Sequence, residues 1–434
     1  MNGAESTDLR NIMVGWLSPS TCYLPRALRI SHDLDRTLGE DITALLAVPQ
    51  FDLQEHHEAI RIEIWQALES VLASQRFVLG PQVVQLEEAM ASMIGVRHAV
   101  SCASGTDALL LPLRALASRI CKEGPSSGAR QEGPEVVVPA FTFFATAGAA
   151  WNAGLRPVFC DVDPDTFNVS GDTVAAAVTD RTVAVVPVHL FGQMAPVEGI
   201  RKVLGVREIM LLEDSAQATG SRRLIGDDWV AAGAVGDAAA FSFFPTKNLG
   251  GLGDGGMITT DDDVLADVLR DVRVHGGHEM VGTNSRLDTI QAAVLLAKLP
   301  YLDHWIAARR ANAALYDELL ADFEPVTTPV VGDGNFHTYN QYTIRAERRD
   351  ELRVFLEGKG IGSGVYYPVP LPLRPCFHDL GYAPGDFPVA EALCEDVLSL
   401  PIYPELGEER VRIVAEAVRD FYGVGEPQPP IPCT

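Results

Sequence analysis

The stretch FSFFPTKNLGGLGDGGMITT, from Phe241 to Thr260, sets one lysine between aromatic residues and a run of glycines. A lysine in such a setting serves either as a phosphate clamp or as a nucleophile whose pKa burial has lowered. GLGDGG (251–256) has the letter pattern GxGxxG, but the apolar, β-branched MITT that follows reads as a strand. A dinucleotide fingerprint needs a helix there, and a P-loop needs its lysine after the glycines. The glycines therefore read as a hairpin or as room for close backbone contact.

A better phosphate site is SCASGTDALLL (101–111), where an apolar strand meets Gly105 and Thr106–Asp107 open a helix. Free N–H groups and the positive dipole end at a helix start suit a phosphate monoester, and Ser, Thr and Asp there also read as plain caps. Ser242 adds a hydroxyl. Asp214, directly after the strand IMLLED, is a candidate acid, with Gln217 three residues on. Phe143 occupies another strand-to-helix junction, where it reads either as a core aromatic or as a face for a flat ring. A lysine, a phosphate cradle and an acid together match pyridoxal phosphate. That cofactor needs a Schiff-base lysine and a carboxylate that keeps its pyridine nitrogen protonated. Lys247 would then be the anchor, Asp214 the acid, Gln217 a partner of the phenolic oxygen and Phe143 a stacking ring.

The elements that carry these residues alternate short apolar strands with helices. HAVSCAS, EVVVPAF, RPVFCDV, TVAVVPVHLFG, IMLLEDSAQ and AAAFSFF read as strands. Continuous apolar strands between helices indicate an α/β fold with a mostly parallel sheet covered on both faces. In LQEHHEAIRIEIWQALESVLASQ the spacing predicts a helix with Ile60, Ile64, Leu68 and Leu72 on one stripe. A long helical pattern after Asn284 is interrupted at Pro300, where a kink is expected. The expected organisation is an N-terminal extension (1–49), a large cofactor-binding domain (50–298), a smaller α+β domain (299–422) and a disordered tail (423–434). The segment 121–135 reads as an exposed Gly/Pro-rich insert.

With 434 residues and a net charge of −24, the chain has no basic run suited to nucleic acid. No apolar run approaches the length that spans a bilayer, and its first residues lack the basic stretch and apolar core expected of a secretion signal. Its seven cysteines are scattered without a CxxC pair, which favours reduced thiols in a cytoplasmic protein over a metal site.

The blocks GTDALLL, VPAFTFFATAG, PVFCDVDPDTFNV, VPVHLFGQMAPV, EDSAQATG, FSFFPTKNLGGLGDGG and NSRLDTIQAAVLLAKLP occur in this order. With YYPVPLPLRP, FPVAE and LSLPIYPEL, they resemble the DegT/StrS-type sugar aminotransferases over residues 50 to 422. The resemblance implies a fold-type I, pyridoxal-phosphate-dependent homodimer with active sites at the subunit interface. It gives Lys247, Asp214, Gln217 and Phe143 the roles above, and gives Gly105, Thr106, Asp107 and Ser242 to the phosphate. It implies that Asn284 reaches the phosphate from the neighbouring subunit, and that Tyr366, where many members have histidine, lies near the sugar. The implied reaction passes an amine from glutamate or glutamine to a keto sugar, expected to be nucleotide-linked, in amino-sugar biosynthesis. A cyclitol ketone aminotransferase and an aminohydroxybenzoate-type synthase share these motifs. A sugar dehydratase of the same fold typically has histidine at the Lys247 position, and a non-catalytic regulator would have lost the key residues.

Overall fold

The computed structural model describes residues 47–120, 133–278 and 281–423. The extension up to residue 46, the expected insert as far as residue 132 and the tail from 424 fall outside these residues; at the far end of the expected insert 121–135, Glu135 opens a strand and is buried rather than exposed. Among the described residues thirteen strands run in chain order. They are β1 His98–Cys102, β2 Glu135–Pro139, β3 Arg156–Cys160, β4 Thr182–Val185, β5 Met210–Asp214, β6 Arg222–Ile225, β7 Asp228–Ala231, β8 Ala238–Ser242, β9 Gly256–Thr260, β10 Val326–Thr327, β11 Asn335–Phe336, β12 Tyr342–Ala346 and β13 Val397–Leu400.

Seven of them form the central sheet in the order β1-β9-β8-β5-β4-β2-β3. Only β9 is antiparallel to its neighbours. The valine run of β2 is buried along its whole length, as a strand covered on both faces requires. Because β1, β2, β5 and β8 point the same way, their carboxyl ends share one edge of the sheet. That edge is where ligands bind in such sheets. It gathers Gly105, Phe143, Asp214 and Ser242, which lie far apart in sequence.

A three-stranded antiparallel sheet, β10-β12-β13, packs with the helices Leu302–Leu319 and Gly407–Gly423. Tyr316 and Tyr342 stack inside it at 4.8 Å between ring centroids. Leu371, Phe377, Phe387 and Leu393 instead join the apolar core of the central sheet. Pro300 falls in a 3-10 turn, Leu299–Tyr301, between the helices Thr289–Lys298 and Leu302–Leu319, where the kink was expected.

The first expected helix is two helices, Leu53–Ala59 and Arg61–Ser74, separated at Ile60. Ile60 and Ile64 are buried, but Leu72 is exposed and Val71 takes the buried place. At about 100° per residue, position 71 returns to within about 20° of Ile64, whereas position 72 is turned away by about 80°.

Candidate active site

Lys247 lies in the connection between β8 and β9, half-buried, with its N–H donating to the Phe244 carbonyl at 2.9 Å. Burial lowers its ammonium pKa from 10.5 to about 8, and the nearby Asp214 carboxylate opposes the shift. A fraction of the side chain is therefore a free amine near neutral pH, as a nucleophile requires.

Asp214 ends β5 and is buried. Its Oδ2 accepts from the Thr146 hydroxyl at 2.8 Å and its Oδ1 from the Ala216 N–H at 3.2 Å. Burial raises its pKa, while Thr146, Ala216 and the charge of Lys247 hold the rise back. Strand alternation turns Glu213 to the opposite face, where it meets buried His189 at 2.7 Å. Glu213 also accepts the N–H groups of Gly233, Val235 and Gly236. Burial alone would raise the Glu213 pKa, but the bonds from His189, Gly236 and Gly233 hold it low. The His189 N–H in turn donates to the Asp214 carbonyl at 3.0 Å, which fixes the strand end behind the acid.

The helix after β1 begins at Gly105 and not at Thr106, and Ser104 caps it by accepting from the Asp107 N–H at 3.1 Å. The Asp107 carboxylate accepts from the Ser285 hydroxyl at 2.7 Å. Among the described residues the N–H groups of Gly105 and Thr106, in the first helical turn, meet no acceptor and can serve an anion. A Cβ at Gly105 would lie 2.6 Å from Ser242 Cβ, so this glycine lets the Ser242 hydroxyl stand against the helix start. Ser242 is buried and its oxygen accepts from the Phe244 N–H at 3.3 Å.

Phe143 is 57 % exposed in this chain, which favours an open ring face over a core aromatic. Gln217 accepts from the Phe191 N–H at 2.7 Å and donates to the Tyr367 hydroxyl at 3.2 Å. Tyr366 is half-buried and accepts from Gln50 at 3.3 Å. Asn284 is exposed and pairs its backbone with Val274, while its neighbour Ser285 anchors the segment to Asp107.

The sequence reading missed Thr146, Tyr367 and Ser104. Thr146 carried a signal, being one helical turn after Phe143 inside an apolar block. Tyr367 carried none that separates it from Tyr366, although its ring stands 6.2 Å from Phe143 and 5.9 Å from Phe141.

The family model of the DegT/DnrJ/EryC1/StrS aminotransferases matches residues 58–419. A pleiotropic regulatory protein of Geobacillus stearothermophilus is 46% identical over 86% of this chain and 98% of its own. A UDP-N-acetyl-3-dehydro-alpha-D-glucosamine 3-aminotransferase of Acidithiobacillus ferrooxidans is 41% identical over 87% and 99%. Among solved structures, S. venezuelae DesV with a ketimine intermediate superposes with a TM-score of 0.81 at 39% identity, covering 88% of this chain and 100% of that one. NtdA from Bacillus subtilis, with the cofactor PMP bound, gives 0.74 at 28% identity over 83% and 82%. The chain belongs to the DegT/DnrJ/EryC1/StrS aminotransferase family, with the family's α/β fold. Among the described residues, no helix is long and apolar enough to cross a membrane.

Proposed function

We propose that this chain is a pyridoxal-phosphate-dependent transaminase. It moves an amino group from glutamate or glutamine to the keto group of a nucleotide-linked sugar, in the cytoplasmic biosynthesis of an amino sugar. The observation that carries this is the half-buried Lys247, its pKa lowered to about 8, on the same sheet edge as buried Asp214.

The residues fit the cofactor. Among the described residues Asp214 has no cation within ion-pair distance, so a protonated ring nitrogen against it would relieve a buried charge. The space that Gly105 leaves beside Ser242 suits a phosphate, reached by the Gly105 and Thr106 N–H groups and the Ser242 hydroxyl. Phe143 offers an exposed ring face and Gln217 a second amide hydrogen for the phenolic oxygen. When bound, the cofactor supplies an electron sink.

The chain's own residues do the rest. Asp214, oriented by Thr146, would stabilise positive charge at its face, and the Lys247 amine would take and return the substrate's proton. Tyr366 lines the approach for the acceptor. A second copy of the chain contributes Asn284 to the phosphate, which requires a homodimer with shared sites. We read residues 50–298 as the cofactor-binding domain and 299–422 as the smaller one. The names of relatives support a nucleotide-linked acceptor, since the A. ferrooxidans protein is a UDP-sugar 3-aminotransferase.

The test is a panel of nucleotide-linked keto sugars and cyclitol ketones with glutamate and glutamine as donors, read by mass spectrometry. Amination of a nucleotide-linked keto sugar is expected. Amination of cyclitol ketones alone overturns the substrate, and no amination of any member overturns the enzyme in favour of a regulator.

A further inference from the structure

The glycines after Lys247 do not hold a nucleotide, and they have another use. None of Gly250, Gly251, Gly253, Gly255 or Gly256 has a positive φ, so freedom of conformation does not explain them. Close approach does. A Cβ at Gly251 or Gly253 would lie 2.7 Å or 2.9 Å from the Gln291 side-chain amide. A Cβ at Gly250 would lie 2.3 Å from the Pro245 carbonyl, so Gly250 is folded against the residues just before Lys247.

Two side chains of the helix Thr289–Lys298 hold this connection. Gln291 accepts from the Leu252 N–H at 2.8 Å, and the Lys298 ammonium donates to the Gly250 carbonyl at 2.7 Å. Seven residues apart, at about 100° each, they project from one face of the helix. Lys298 is fully buried, and its Nζ stands 3.0 Å from His57 Nε2. Among the described residues it has no carboxylate within ion-pair distance. Burial lowers the Lys298 pKa to about 8, against the opposing charge of Glu405, and lowers that of His57 to about 4. Neutral His57 therefore accepts the ammonium hydrogen. A buried ammonium is costly, and an apolar side chain would fill the place with less desolvation. What Lys298 adds is the bond to Gly250.

We propose that Lys298 and Gln291 are positioning residues for Lys247, holding from one helix face the glycine-rich connection that aims its amine. This rests on Lys247 as the covalent anchor of pyridoxal phosphate. Their action runs through Lys247 alone and not through the phosphate site.

The experiment follows capture of pyridoxal phosphate by the apoprotein through the visible band, with borohydride fixation mapped to Lys247. In Lys298→Met and Gln291→Leu the capture rate at saturating cofactor should fall at least about tenfold, because small misplacements of a reacting group are costly. Gln291→Glu, which keeps the acceptor, should stay within about threefold of wild type. In a Lys247→Ala background, Lys298→Met should leave cofactor affinity unchanged, which a general structural role would not. Should Lys298→Met not fold, the Gln291 pair decides. Wild-type rates in Lys298→Met and Gln291→Leu, or weakened cofactor affinity in the double variant, overturn the proposal alone. A wild type that forms no band overturns the anchor reading and this proposal with it.

Discussion

Gly105 and Ser242 come so close that a Cβ at position 105 would lie 2.6 Å from the serine Cβ. The two belong to different strand ends, and their contact builds the phosphate corner of the site. Gly105→Ala must push the helix start away from Ser242. Overpacking of this kind costs about 1–3 kcal/mol. Cofactor affinity is expected to fall about tenfold or more, with fluorescence titration as the measurement. Unchanged affinity would remove these residues from the phosphate site.

Phe143→Ala separates a stacking ring from a core ring. With the side chain 57 % exposed, thermal stability of the apoprotein should change little, within about 0.5 kcal/mol. Cofactor release should become faster. A large loss of stability with unaltered release would return Phe143 to a packing role.

Thr146→Val removes the hydroxyl that donates to Asp214 at 2.8 Å. A hydrogen bond to a charged group contributes about 1.5–3 kcal/mol. The turnover number should therefore drop at least about tenfold, with the donor KM less affected. Asp214→Asn should lose more, because the charge itself goes. Steady-state kinetics on the two variants decide.

The lowered pKa of Lys247 gives a pH signature. The free amine accumulates as pH rises through about 8, so the rate of cofactor capture should rise with a midpoint there and then level off. A midpoint near 10.5, the ordinary lysine value, would refute the buried setting.

Linkage sets the sign of a related effect on stability. Between pH 8 and 10.5 the unfolded chain keeps the Lys247 proton that the folded chain has lost, so the cost this group imposes on folding shrinks as pH rises. Lys247→Met should therefore stabilise the apoprotein most below pH 8, and the gain should fade toward pH 10.5. Thermal unfolding of both proteins across that range checks it.

Local order determined much of this protein. Strand-forming valine runs, helix starts at small polar residues and the order of the motif blocks were sufficient for the α/β sheet and for setting Asp214 at a strand end, Gly105 at a helix start and Lys247 in a connection between strands. These signals lie within a few residues of one another, so periodicity and capping chemistry expose them. What only the tertiary structure decided are relations between residues distant in sequence. Examples are Thr146 on Asp214, Tyr367 on Gln217, and Gln291 with Lys298 against the glycines. Which of Tyr366 and Tyr367 meets Gln217, or whether Leu72 or Val71 turns inward, depends on the direction of a side chain relative to a neighbour supplied by another part of the chain. The glycines after Lys247 show the difference best. The sequence left them as a hairpin or as room for close backbone contact, and the structure shows what approaches: Gln291, some forty residues further on, at Gly251 and Gly253, and the Pro245 carbonyl at Gly250.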